Sequence, residues 1–155
     1  MSRRKTAKKR LINQDPIYNS KLVSLFINKI MLKGKKSIAQ TIFYNAIKKA
    51  KESLNKDPME ILEKSVNNST PIIELKTRRI GGTTYQVPVE IRSDRKTSLA
   101  LSFIIKSARK RPGKDMISKL GNEIIDSFNN TGNSVKKKEE LQKQAENNKA
   151  FATFK

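Results

Sequence analysis

Apolar residues in the first half of the chain recur with the period of an α-helix. The first apolar stripe begins after residue 20 and consists of Leu22, Val23, Phe26, Ile27 and Ile30. Gly34 follows it as a helix stop signal. A second stripe begins near residue 37, and its predicted core side consists of Ile38, Ile42, Ala46 and Ala50. The pattern therefore predicts two successive helices, each with one buried face.

A third helix is predicted from its cap as well as from its stripe. Asp57 is a favourable N-cap, and Pro58 suits the first helical position. Its predicted core residues are Ile61, Leu62 and Val66.

Between residues 71 and 91 the apolar period changes to that of a β-strand. The alternating apolar residues are Tyr85, Val87, Val89 and Ile91, and a partner strand is predicted upstream over 72–80. Gly81-Gly82 is a two-residue hairpin signal, because glycine accepts positive φ at both central positions. Arms of this length reach roughly 30 Å, so we expect the tip to project from a small helical body.

Helical spacing returns after the hairpin. Asp94 is the predicted cap of a fourth helix, whose predicted apolar residues are Leu99, Ala100, Phe103, Ile104 and Ala108. Asp115 is the predicted cap of a fifth helix with Met116, Leu120, Ile124 and Phe128. A polar last helix is predicted from about residue 134, with only Val135, Leu141 and Ala145 as periodic apolar residues. The fold is therefore predicted to be mainly α. Six helices form one domain over residues 1–155, a hairpin (71–91) is inserted between helices three and four, and a basic N-terminal arm (1–16) precedes them.

Composition narrows the possible functions. The 155 residues include 34 Lys or Arg against 14 Asp or Glu, a net charge of +20, with neither His nor Cys. Catalysis by a His base or a Cys nucleophile and metal sites made of those residues are therefore excluded, and we expect no cofactor. The chain has no long apolar run to suggest a membrane span. An excess of positive charge this large favours a polyanionic partner.

The cations are clustered rather than spread evenly. Residues 1–10 and 106–114 contain cations but no acid, and further basic clusters lie near Gly34 and around the hairpin. Residues 48–64, by contrast, are nearly balanced. The pattern predicts one phosphate-binding side and one mixed side. Composition and pattern alone do not distinguish DNA from RNA.

The hairpin carries a more specific resemblance. Its segment Lys76-Thr77-Arg78-Arg79-Ile80-Gly81-Gly82-Thr83-Thr84-Tyr85-Gln86-Val87-Pro88-Val89-Glu90 closely resembles the hairpin of the small-subunit ribosomal protein seven family. Further blocks match in order along the chain, among them Gly34-Lys35-Lys36-Ser37, Ala108-Arg109-Lys110-Arg111 and Val135-Lys136-Lys137-Lys138-Glu139.

This resemblance implies a structural role in translation and no enzymatic activity. Members of the family bind the 3′ major domain of small-subunit ribosomal RNA and nucleate assembly of the head. The residues implied to contact this RNA are Arg3, Arg4, Lys8, Lys9, Arg10, Lys33, Lys35, Lys36, Lys76, Arg78, Arg92, Arg95, Arg109, Lys110, Arg111 and Lys114. Those implied to face the transfer-RNA exit site and messenger RNA are Arg79, Gly81, Gly82, Thr83, Thr84, Lys136 and Lys137. Neighbouring small-subunit ribosomal proteins are further expected partners.

Two questions of identity remain open at this level. The segments Asp15-Pro16-Ile17-Tyr18 and Arg111-Pro112-Gly113 resemble plastid members, which implies an organelle-encoded protein of the plastid ribosome, with the bacterial cytoplasm as the alternative. The alternative function is that of a histone-like DNA-bending protein, which also combines helices with a basic ribbon. Such proteins usually carry a proline at the ribbon tip, where this chain has Gly81-Gly82.

Overall fold

The structure is a computed structural model that describes residues 11–150. Within them lie six helices and one hairpin, in the order α1 Lys21–Ile30, α2 Lys36–Leu54, α3 Pro58–Asn68, β1 Ile73–Ile80, β2 Thr83–Glu90, α4 Ser93–Lys110, α5 Met116–Phe128 and α6 Asn133–Asn147. The predicted mainly α fold, with a hairpin between the third and fourth helices, is confirmed.

Helix α5 is the centre of the helical body. It packs against α2, α3, α4 and α6, while α1 packs on α2 and α4. Fully buried side chains from five helices meet in the core, among them Phe26, Phe43, Leu62, Ile104 and Leu120. Phe26 and Phe43 pack as a tilted aromatic pair with ring centroids 5.3 Å apart.

The predicted core side of α2 is partly wrong. Ile38 is 54% exposed, and the buried stripe runs through Ala39, Phe43, Ala46, Ile47 and Ala50 instead. Ile42 packs at the margin of the core. The reason is an excess of apolar residues: α2 carries more of them than one face can bury, so spacing alone does not fix the rotation of the helix.

The same ambiguity affects α4. Leu99 and Phe103 were expected in the core and are only half-buried, whereas Leu101 and Ile105 are buried. Ile104, by contrast, is buried as predicted. Apolar residues on either side of the true stripe shifted the predicted face by about one position.

The predicted caps are confirmed at two helices and wrong at a third. Asp57 and Asp115 each accept backbone N–H groups from the second and third residues of α3 and α5. Asp94 is not a cap, because α4 begins at Ser93 with Arg92 in the N-cap position. Asp94 lies in the first turn of α4, where a negative charge still favours the positive end of the helix dipole.

The hairpin has the predicted two-residue turn. Ile80 pairs with Thr83, which leaves Gly81 and Gly82 in the loop with φ values of 57° and 91°. At the base, the Ile91 N–H donates to the Ile72 carbonyl at 3.1 Å. Val87 and Ile91 are buried, whereas Arg78, Arg79, Thr83 and Thr84 near the turn are exposed. The hairpin is therefore anchored at its base, and its tip is exposed to solvent.

Candidate nucleic-acid interface

A half-buried lysine joins the end of α1 to α4. The Lys29 ammonium donates hydrogen bonds to the Ser98 carbonyl oxygen and to Ser102 Oγ. Burial lowers the pKa of Lys29, and the nearby charges of Lys106 and Arg95 lower it further. The positive charges of α1 and α4 therefore lie close enough to repel one another.

A lysine of α6, Lys137, also lies near the cations of α4. Burial lowers the pKa of Lys137, with Lys110 and Lys106 as the next causes. Glu140 and Glu123 act in the opposite direction and more weakly. Helices α1 and α6 both pack on α4 and so bring their cations near those of α4. We call this group the cationic seam: Arg95, Lys29, Lys106, Lys110 and Lys137.

Sequence reasoning had not singled out Lys29 or Lys106 as site residues. Helical spacing carried a signal for Lys106, because Arg95, Lys106 and Lys110 are separated by eleven and four residues and so share a face of α4. Lys29 had no such signal, since its place depends on how α1 packs against α4.

The Gly34 loop lies beside the seam. Lys33, Lys35 and Lys36 are all exposed there, and Lys33 and Gly34 both have positive φ. The Arg109 guanidinium donates to the Ile30 carbonyl oxygen at 3.0 Å, which ties the end of α4 to the end of α1. The Gly34 loop and the end of α4 therefore lie close together, so their cations can contribute to a single phosphate-binding surface.

Acids balance much of the positive charge at the hairpin base. Glu74 accepts a hydrogen bond from Arg95 Nε at 2.8 Å and lies 3.6 Å from Lys76 Nζ. Arg92 is exposed beside this pair, at the edge of a shallow depression of about 600 Å³. Glu90 and Asp94 line the same depression, and Glu90 lies 3.9 Å from Lys96 Nζ, so cations and acids are nearly balanced at the hairpin base.

Most of the residues predicted for the exit-site side lie on the exposed hairpin tip. Arg79, Gly81, Gly82, Thr83 and Thr84 are all exposed, and Arg78 is exposed opposite Tyr85 on the other strand. Lys136 and Lys137 lie instead at the start of α6, where Lys136 is exposed and Lys137 is half-buried. The predicted set therefore falls on two separate elements.

Arg111 differs from the other predicted contacts, because its charge is neutralised inside the protein. Its Nε donates to Glu123 Oε2 at 2.6 Å and its Nη2 donates to Asp126 Oδ2, leaving its side chain 18% exposed. Burial works to lower the pKa of Arg111, but the hydrogen bonds to Asp126 and Glu123 outweigh it and raise the pKa. Lys110 and Lys114, on either side, are exposed. The geometry thus gives Arg111 an internal role and does not favour a contact with RNA.

A buried acid anchors the chain where the basic arm joins the body. Asp15 is 2% exposed and accepts hydrogen bonds from the backbone N–H groups of Ile17 and Tyr18 and from the Tyr44 hydroxyl. Burial and the hydrogen bond to Asp15 raise the pKa of Tyr44 to about 12. The predicted contacts within the arm itself, Arg3, Arg4, Lys8, Lys9 and Arg10, lie outside the described residues.

A separate region of the body, the mixed face, carries both cations and acids. Between Tyr18, Tyr44 and the start of α3 lies a broad, open depression of about 1070 Å³, where Lys48, Lys51 and Lys56 alternate with Glu52 and Asp57. Over residues 11–150, no helix is long and apolar enough to cross a membrane. The same residues contain no group of three or more His, Cys, Asp or Glu side chains placed to hold a metal ion.

Comparison with known proteins gives consistent matches over the full length. The model of the family described as "Ribosomal protein S7p/S5e" matches residues 2–149. The chain is 60% identical over 155 residues to the small ribosomal subunit protein uS7c of Euglena gracilis, covering 100% of this chain and 99% of that protein. It is 55% identical over 154 residues to uS7c of Cyanophora paradoxa and 53% identical over 154 residues to uS7 of Acaryochloris marina, with 99% of each chain covered in both comparisons.

Proposed function

Because the chain belongs to the ribosomal protein S7p/S5e family, we propose that it binds the 3′ major domain of small-subunit ribosomal RNA and nucleates assembly of the head. The family is structural and not enzymatic, and its relatives are components of the small ribosomal subunit. A structural role in translation, with the ribosome and its RNA as partners, follows directly from this membership.

The observation that carries the RNA-binding proposal is the cationic seam. Cations held close together repel one another in the free protein, and phosphates along one strand would relieve that repulsion. Lys and Arg side chains that neutralise phosphates also release counterions, so affinity should fall steeply with salt. Around the seam, the proposed RNA contacts are Arg3, Arg4, Lys8, Lys9, Arg10, Lys33, Lys35, Lys36, Lys76, Arg78, Arg92, Arg95, Arg109, Lys110 and Lys114.

The hairpin tip has a separate proposed role. Arg79, Gly81, Gly82, Thr83 and Thr84 face the transfer-RNA exit site and messenger RNA. Lys136 and Lys137 on α6 share this role and, because Lys137 is part of the cationic seam, also contribute to binding ribosomal RNA. The exposed tip supports this role, because a ribbon anchored only at its base can extend beyond the RNA-bound body. Neighbouring small-subunit ribosomal proteins complete the proposed set of partners.

The ribosome that holds this protein is a plastid or a bacterial one. Its relatives include plastid uS7c proteins and cyanobacterial uS7 proteins. The plastid ribosome, with an organelle-encoded gene, is the assignment we propose. Its support is the higher identity to the Euglena gracilis protein than to the cyanobacterial one.

The RNA-binding proposal is tested with two variants that each remove two lysines from one helix. Lys106→Gln with Lys110→Gln removes two seam charges, whereas Lys48→Gln with Lys51→Gln removes two charges from the mixed face. Binding to an RNA fragment containing the 3′ major domain is measured over a range of salt concentrations. The seam variant should reduce the slope of log K against log salt by roughly 1.5, and the control should leave it unchanged.

Two results would contradict the proposal. One is an equal loss of slope in both variants, which would mean that total charge and not the seam governs binding. The other is equal affinity for random duplex DNA at the same salt concentration, which would favour the DNA-bending alternative.

A further inference from the structure

A single buried carboxylate lies between the end of α4 and the start of α6. Glu123 on α5 is completely buried. Its Oε2 accepts a hydrogen bond from Arg111 Nε at 2.6 Å, and its Oε1 accepts one from the Ser134 backbone N–H at 2.8 Å. One side chain therefore holds both the residue that follows α4 and the second residue of α6.

Three hydroxyls extend this contact across the interior. Ser69 Oγ donates to Ser134 Oγ at 3.1 Å, Ser134 Oγ and Ser127 Oγ are 2.7 Å apart, and Ser127 Oγ donates to the Glu123 carbonyl oxygen at 2.6 Å. Each hydroxyl has one proton to donate. If Ser134 donates to Ser127, each of the three hydroxyls donates one hydrogen bond along this series. We call Arg111, Glu123, Asp126, Ser127 and Ser134 the Glu123 cluster.

The backbone at residue 132 lies so close to the Glu123 cluster that there is no room for a side chain. A Cβ on Gly132 would lie 2.7 Å from Ser127 Oγ and 3.1 Å from Glu123 Oε1. Gly132 is the N-cap residue of α6, so the start of this helix is packed directly on the cluster.

Helix α6 is otherwise held by packing against α4 and β1 and by the Lys138 ammonium, which donates to the Asn68 carbonyl oxygen at 2.8 Å. Of its apolar side chains, Val135 and Ala145 are buried and Leu141 is half-buried. Its first turns also carry Lys136 and Lys137, and Lys137 lies near Lys106 and Lys110, which repel it. The contacts with Glu123 fix the start of the helix, which is the part that carries Lys136 and Lys137.

We propose that Glu123 is a positioning residue for the nucleic-acid interface, because it binds Arg111 and the Ser134 amide together and so holds Lys137 in the cationic seam and Lys136 next to it. Glu123 is buried and does not contact RNA, so its effect on binding passes through α6. This inference rests on the proposed RNA binding, since it assigns a role within that interface.

A double-mutant cycle tests the proposal with the full-length chain and the RNA fragment containing the 3′ major domain. Glu123→Gln has nearly the same shape, but its single amide oxygen can accept from Arg111 or from Ser134 and not ideally from both. Lys136→Gln with Lys137→Gln removes the charges that Glu123 is proposed to position. Asp126→Asn is the matched control, because Asp126 pairs with Arg111 while its carboxylate makes no hydrogen bond to α6 in the described contacts.

We expect Glu123→Gln to weaken binding about fivefold and the lysine pair to weaken it about tenfold. The combined variant should bind as weakly as the lysine pair alone, to within about twofold. Once both lysines are replaced, Glu123→Gln has no charges left to displace. Asp126→Asn should combine with the lysine pair additively. Circular dichroism at the binding temperature verifies that each variant is folded.

Additive losses for Glu123→Gln and the lysine pair would overturn the positioning role. Failure of the unmodified protein to bind the fragment would instead refute the proposed function, so the two failures are distinguishable. If Glu123→Gln does not fold, Glu123→Asp replaces it, because that side chain keeps the negative charge but is one methylene shorter and cannot reach both Arg111 and the Ser134 amide. It should show the same non-additivity with a smaller amplitude, and strict additivity there would also overturn the proposal.

Discussion

The Glu123 cluster and the cationic seam use the same residue types for opposite purposes. In the cluster, Arg111 binds two carboxylates of its own chain. In the seam, Lys29, Lys106 and Lys137 lie near other cations that lower the pKa of Lys29 and Lys137. One region contributes to folding, and the other keeps repulsive charge that a phosphate backbone can neutralise. The number of basic residues therefore does not reveal how many can bind RNA, because some of them are paired with acids of the same chain.

The largest expected effect comes from removing the acid of the cluster. Glu123→Ala leaves the Ser134 amide without its acceptor and Arg111 with only one carboxylate. Because a buried N–H is left unsatisfied and Arg111 loses one of its two carboxylates, the free energy of unfolding should fall by about 3 kcal/mol. Urea unfolding measures this loss. A change below about 1 kcal/mol would show that the cluster does not stabilise the fold.

A smaller loss is expected at the glycine that packs on the cluster. Gly132→Ala places a Cβ 2.7 Å from Ser127 Oγ and 3.0 Å from the Ser127 backbone nitrogen, so the start of α6 must shift. Overpacking of this kind costs about 1–3 kcal/mol, measurable as a lower midpoint of thermal unfolding. Gly34→Ala is not a suitable control, because its positive φ adds strain of its own. Asn122→Ala, at an exposed position on α5, serves that purpose and should change the midpoint little.

The seam should respond in the opposite direction. Lys106→Gln removes a charge that repels Lys29 and Lys137, so at low salt the free protein should become more stable by about 0.5 kcal/mol. The gain should shrink as salt rises, because screening already weakens the repulsion. Thermal unfolding at two salt concentrations is the measurement. A clear loss of stability would mean that Lys106 has a structural role like that of Arg111.

A further effect, confined to alkaline pH, is expected near the base of the arm. The pKa of Tyr44 is raised to about 12 in the folded protein, above its ordinary value of 10. A raised folded pKa contributes stability below pH 10 and loses it as pH rises from 10 to 12. Tyr44→Phe should therefore flatten the dependence of stability on pH in this window. An unchanged slope would contradict the assigned hydrogen bond to Asp15.

Sequence patterns predicted the elements well and the side-chain partners poorly. Caps at Asp57 and Asp115 and the Gly81-Gly82 turn were predictable because their chemistry is local. The buried faces of α2 and α4 were predicted only in part, because apolar residues flank both true stripes. Ala46, Ala50, Ala100, Ile104 and Ala108 are buried as predicted, whereas Ile38, Leu99 and Phe103 are not. Local spacing does not reveal rotation, which is set by packing against α5.

The individual residues of the RNA-binding surface were even harder to predict from sequence than the buried faces of the helices. Lys110 and Arg111 are neighbours in one basic run and are equivalent by composition. Only the packing of α5 against the end of α4 separates them, because it places Glu123 and Asp126 beside Arg111. Lys29 was missed for a related reason, since its neighbours on α4 are about seventy residues away in sequence.

The most direct test of the account compares these two neighbouring cations. RNA binding is measured against salt for Lys110→Gln and for Arg111→Gln, and the free energy of unfolding is measured for both. We predict that Lys110→Gln reduces the slope of log K against log salt by roughly 0.7–0.9 and leaves stability nearly unchanged. Arg111→Gln should lower stability and leave the slope unchanged at temperatures where it is folded. An equal loss of slope in folded Arg111→Gln would contradict the division between a structural cluster and an RNA-binding seam.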